Sequence, residues 1–110
     1  MELQIRKKEW SPARDFLPAI LGKESSEELN EQELAKLELF EKGLAKELSK
    51  EDSIELAVTK IVKMALAAEF GPSLVTAKGA GQMVTTITRA IMAEPQLRKQ
   101  ALVIADRFAK

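Results

Sequence analysis

Apolar side chains recur every three or four residues along most of this chain, which is the spacing that places them on one face of an α-helix. The first two stripes are formed by Leu34, Leu37, Phe40, Leu44 and Leu48, and then by Ile54, Val58, Ile61, Ala65 and Ala68. Asn30 and Glu33 have the spacing of a capping box, so the first stripe predicts a helix near 31–48. The second predicts a helix near 51–70, and its narrow polar arc is typical of a central helix.

The residues at the ends of the second helix indicate where it begins and stops. Ser49 and Asp52 indicate an N-cap at its start. Phe70 is followed by Gly71 and Pro72, and this pair ends a helix because glycine favours the left-handed cap and proline cannot continue the helix.

Two more helices follow, near 74–93 and 96–109. Ser73 can cap the first of them, and Pro95 ends it and can open the last one. Gly79-Ala80-Gly81 lies inside the third helix, where each glycine costs about 1 kcal/mol relative to alanine. Either the helix breaks at this point or the glycines let another backbone come close.

The N-terminal residues have a different pattern, because Met1, Leu3 and Ile5 alternate with polar residues. A period of two predicts a short strand or an extended arm. Ser11 and Pro12 then open a short helix that ends by Gly22. We therefore predict one domain over 1–110, with an arm and short helix over 1–22 and a helical bundle over 31–109. Its fold class is all-α, an antiparallel bundle of four main helices.

The composition excludes several kinds of chemistry. The 110 residues include no Cys, no His and no Tyr, so this chain supplies no thiol nucleophile, imidazole base or Cys/His zinc site. No apolar run reaches the roughly 18 residues of a membrane span, and the N-terminal residues lack the pattern of a signal peptide. We expect a cytoplasmic protein that needs no metal and no cofactor.

The net charge is zero, but the charges are divided unevenly. Residues 1–55 carry 9 basic and 14 acidic side chains, whereas residues 56–110 carry 8 basic and 3 acidic ones. Acidic and basic helices that pack side by side are the simpler interpretation. The alternative is that the complementary halves guide antiparallel self-association or bind an acidic partner.

Leu39, Leu102 and Val103 lie off the predicted core faces, which indicates either a helix–helix contact with a partner or cover by the N-terminal arm. We predict that the partner-binding residues are Leu3, Ile5, Trp10, Leu39, Leu102 and Val103. The function that we expect is a non-catalytic protein–protein interaction module, as a homo-oligomeric small subunit or adaptor.

A row of small residues, Ala77, Gly81 and Thr85, has the i, i+4, i+8 spacing that permits close helix packing. The glycines here resemble part of a phosphate-binding loop, but no strand precedes them and no Gly-Lys-Ser/Thr sequence follows. We therefore interpret the row as a helix-packing surface.

Two other functions remain open. A nucleic-acid-binding protein requires the bases of the C-terminal half to converge on one surface, namely Lys60, Lys63, Lys78, Arg89, Arg98, Lys99 and Arg107. The segment around Phe70 and Gly71 roughly fits a helix-turn-helix, although a plain helical hairpin explains it better. A metal-dependent enzyme requires the convergence of Glu28, Glu31, Asp52 and Glu55.

Overall fold

The computed structural model describes Phe16 and residues 30–109. This part of the chain is all-α and forms a four-helix bundle, in which no strand is present. The helices are α1 (Glu31–Glu47), α2 (Ile54–Phe70), α3 (Ala80–Ala93) and α4 (Pro95–Phe108), and a 3₁₀ turn at Pro72–Thr76 separates α2 from α3.

Helix α1 begins where its capping box predicts. The Oδ1 atom of Asn30 accepts a hydrogen bond from the backbone N–H of Glu33 at 2.7 Å, and the Glu33 carboxylate accepts one from the Asn30 N–H at 3.2 Å. Two backbone donors that the first turn leaves without a helical partner are thereby satisfied. The predicted helix near 31–48 is confirmed to within one residue.

Helix α2 begins later than predicted, because Ser49 and Asp52 do not cap it. The Asp52 carboxylate accepts from the Ser49 N–H at 3.0 Å, and the Asp52 N–H donates to the Ser49 carbonyl at 3.0 Å, so the two residues close a turn. The N-cap is Ser53, whose hydroxyl oxygen accepts from the Leu56 N–H. The prediction of a start at 51 is therefore wrong by three residues.

The predicted helix near 74–93 is also wrong in its first turn and a half. Residues 72–76 form a 3₁₀ turn, and the Ser73 side chain makes no capping hydrogen bond. Gly79 then adopts a left-handed conformation with φ 86°, which glycine reaches without steric cost. The helix therefore breaks before Ala80, and this settles the choice that the two glycines left open.

A single residue joins α3 to α4. Glu94 ends α3, and both oxygens of its carboxylate accept hydrogen bonds at 3.1 Å, from the N–H groups of Gln96 and Leu97. Pro95 occupies the first helical position, where its missing N–H leaves no bond unmade. The prediction that Pro95 ends one helix and opens the next is confirmed.

Helix α2 is central, as predicted, because it contacts α1, the 3₁₀ turn, α3 and α4. Its buried residues are Ala57, Val58, Ile61, Val62, Ala65, Leu66 and Ala68. Phe16, from the predicted short N-terminal helix, is helical and fully buried in the same core. The predictions for Leu3, Ile5 and Trp10 lie outside the described residues.

Candidate interaction surface

One row of α1 side chains faces solvent along the whole helix. Its members recur at intervals of three or four residues, which keeps them on one side of the helix. They are Glu31, Ala35, Leu39, Lys42 and Lys46, and all five are exposed. Leu39 is 58% exposed, which confirms that it lies off the core face.

A second row with the same spacing runs along α2. It consists of Leu56, Lys60, Lys63, Ala67 and Phe70. Phe70 is 58% exposed and Leu56 is 45% exposed, although the other sides of α2 supply much of the core. The central helix therefore keeps one partly exposed stripe.

Contacts between the helices show that the two rows flank the same seam. The Lys60 Nζ atom donates to the Glu47 carbonyl at 2.9 Å, and a side chain at Gly43 would meet the sulfur of Met64. On each helix, the row lies on the side away from the buried residues, and Lys60 belongs both to the α2 row and to the contact with α1. The ten residues of the two rows together form one surface, which we call the outer face.

The large apolar residues and the lysines are unevenly distributed along the outer face. The two helices run antiparallel, since Lys36 pairs with Glu69 at 3.2 Å while Lys60 reaches Glu47. Leu39 and Phe70 therefore lie at the same end of the seam. Lysines occupy four of the other eight positions, and Leu56 lies beyond them at the opposite end.

Three of these lysines have no carboxylate partner among the described residues, namely Lys42, Lys46 and Lys63. Lys60 differs, because its Nζ atom lies 2.9 Å from the Asp52 carboxylate. The hydrogen bond from Lys60 lowers the pKa of Asp52 below its usual 3.8, and the bond from the Ser49 N–H lowers it further. Lys60 therefore serves the turn between α1 and α2, whereas the other three amines face solvent.

The remaining predicted partner-binding residues lie elsewhere. Leu102 and Val103 on α4 are exposed, as predicted. Because successive residues of a helix point about 100° apart, these two side chains do not form one patch. Leu56 and Phe70 were not predicted as site residues, although their spacing with Lys60, Lys63 and Ala67 was available in the sequence. The partner role of all these residues stays a prediction.

The residues of the predicted helix-packing row do not lie on one helix, and their packing role stays a prediction. Ala77 precedes α3, so it does not share a helix with Gly81 and Thr85. All three residues are exposed, and a side chain at Gly81 would meet no atom within 4 Å. The physical reason is the break at Gly79, which separates the first member of the row from the other two.

The carboxylates of the metal hypothesis do not converge. Glu31 begins α1, whereas Asp52 and Glu55 lie beyond the other end of that helix, which is about 25 Å long at 1.5 Å per residue. No cluster of three metal-ligating side chains is found among the described residues. Glu28 lies outside them.

The bases of the nucleic-acid hypothesis are likewise spread over several surfaces. Lys60 is occupied by Asp52, and on α4 the steps between Arg98, Lys99 and Arg107 distribute them around about half of the helix. The nine residues between α2 and α3 also exceed the three to four of a helix-turn-helix turn.

Comparison of the chain with protein-family models, with curated proteins and with solved structures finds no match. Within the described chain, no helix combines the length and the apolar character needed to cross a membrane. A proposal about function therefore depends on the outer face and on the composition.

Proposed function

We propose that this protein is a non-catalytic helical interaction module, which acts as a homo-oligomeric small subunit or adaptor. The observation that carries the proposal is the pair of large apolar side chains, Leu39 and Phe70, at one end of the outer face. Full burial of such a side chain stabilises an assembly by about 1.5–3 kcal/mol relative to exposure. Association through this surface removes both side chains from water.

The composition supports the same proposal. Without histidine or cysteine, the chain offers carboxylates, amines, guanidinium groups and hydroxyls for chemistry. Three of the described carboxylates have a structural role, since Glu33 and Glu94 cap helices and Asp52 closes the turn between α1 and α2. The absence of cysteine also suits a reducing compartment, and we propose a cytoplasmic location.

Light scattering at low and high salt tests the proposal. We expect a mass of twice 12.2 kDa or more at low salt. A monomer at both salt concentrations would contradict the homo-oligomer. The mass at high salt reports how far the lysines contribute, because salt screens exposed charges over about 10 Å at 0.1 M.

A pair of double variants identifies the surface that is used. Leu39→Gln with Phe70→Gln removes the two large apolar side chains at one end of the outer face, and we expect it to reduce the mass to that of the monomer. Leu102→Gln with Val103→Gln is the matched control on α4, because it exchanges two exposed apolar residues for the same amide. If only the α4 variant dissociates, the outer face is not the interface.

Nucleic-acid binding is the second candidate function, and the observation in its favour is the set of three unpaired amines, Lys42, Lys46 and Lys63. Phosphate contacts by these amines would make the affinity fall steeply with salt. Titration of a labelled DNA or RNA duplex with the protein at two salt concentrations tests this function. Leu39 and Phe70 favour a protein partner, because they have no role on a phosphate backbone.

A further inference from the structure

We draw no further inference here: the strongest candidate, the outer face of α1 and α2 around Leu39 and Phe70, belongs to the surface already described, and because exposed carboxylates at Glu31 and Glu38 accompany its lysines on α1, nothing in the structure shows what covers it.

Discussion

Thr88 on α3 is a polar side chain in the apolar core. It is the buried polar residue of the described core, at 3% exposure, and its hydroxyl has no hydrogen-bond partner. The side-chain carbonyl of Gln100 on α4 is also buried without a partner. An unsatisfied buried group costs about 1–3 kcal/mol, so both atoms reduce the stability of the fold.

We predict that Thr88→Val stabilises the protein by about 1 kcal/mol, because valine keeps the shape of threonine and removes the unpaired hydroxyl. Urea unfolding measures the change. Thr85→Val is the control on the same helix, since its hydroxyl is exposed and donates to the Gly81 carbonyl at 2.9 Å. A loss of stability for Thr88→Val would show that the hydroxyl has a partner in solution.

Asp52 gives the stability a dependence on pH. Its pKa is lowered from 3.8 in the folded chain, first by the hydrogen bond from Lys60. A carboxylate whose pKa is lower in the folded chain than in the unfolded chain stabilises the folded state. This stabilisation is complete at pH values above the unfolded pKa, and it is lost as the pH falls through the folded pKa.

We therefore expect Asp52→Asn to be less stable than the unmodified chain at pH 7, and the difference to shrink steadily below about pH 4. Urea midpoints at pH 7 and at pH 3 check this. Asp106→Asn serves as the control, because Asp106 has no hydrogen bond or ion pair within the described chain. An equal difference at both pH values would contradict the role of the carboxylate.

At the scale of elements, α1 and α2 are in close contact at Gly43. A side chain at this position would meet the sulfur of Met64 on the facing helix. Glycine lowers the helix propensity of α1 by about 1 kcal/mol relative to alanine, so the position combines a local cost with close packing.

A double-mutant cycle separates these two effects. We predict that Gly43→Ala stabilises the Met64→Ala variant by about 1 kcal/mol, because space is then available and the propensity gain remains. In the unmodified chain the gain should be smaller, since the methionine must move. Thermal unfolding of the four proteins gives the coupling, and an additive cycle would show that α1 and α2 are not in close contact at this point.

The sequence predicts α1 well because its capping box is a local signal that depends on Asn30 and Glu33 alone. The start of α2 is harder to predict, since three residues suit an N-cap: Ser49, Asp52 and Ser53. Which of them caps the helix depends on the turn that Asp52 makes. Gly79 is compatible both with a break in the helix and with the close approach of another backbone. Tertiary context decides between them.

The candidate surface is predictable in part for a related reason. Leu39 stands out because its row contains no other large apolar residue. Leu56 and Phe70 do not, because α2 is apolar on nearly every side, and a single sequence does not say which side of such a helix its neighbours leave uncovered.

At the scale of the whole molecule, the connections between helices are unequal. One residue, Glu94, joins α3 to α4, and six residues with hydrogen bonds between Ser49 and Asp52 join α1 to α2. Nine residues join α2 to α3, and the last four of these, 76–79, are all exposed. The long connection is therefore the most accessible backbone between described helices.

We predict that trypsin cuts after Lys78 before it cuts after Lys50. One hydrogen bond, from the Ala80 N–H to the Ala77 carbonyl, closes the turn around Lys78, whereas three hydrogen bonds between Ser49, Glu51 and Asp52 hold the turn around Lys50. Mass spectrometry of a brief digest identifies the fragments. Lys78→Gln should abolish this cleavage without altering the melting temperature, and earlier cleavage at Lys50 would contradict the order of accessibility.

The position of this long connection makes the molecule divisible. One piece would end with α1 and α2, and the other would consist of α3 and α4 held together by Glu94. Because α2 contacts both helices of the second piece, the halves should recognise each other when they are expressed separately. The fold thus offers a split protein, in which reassembly of two fragments reports that the core has formed.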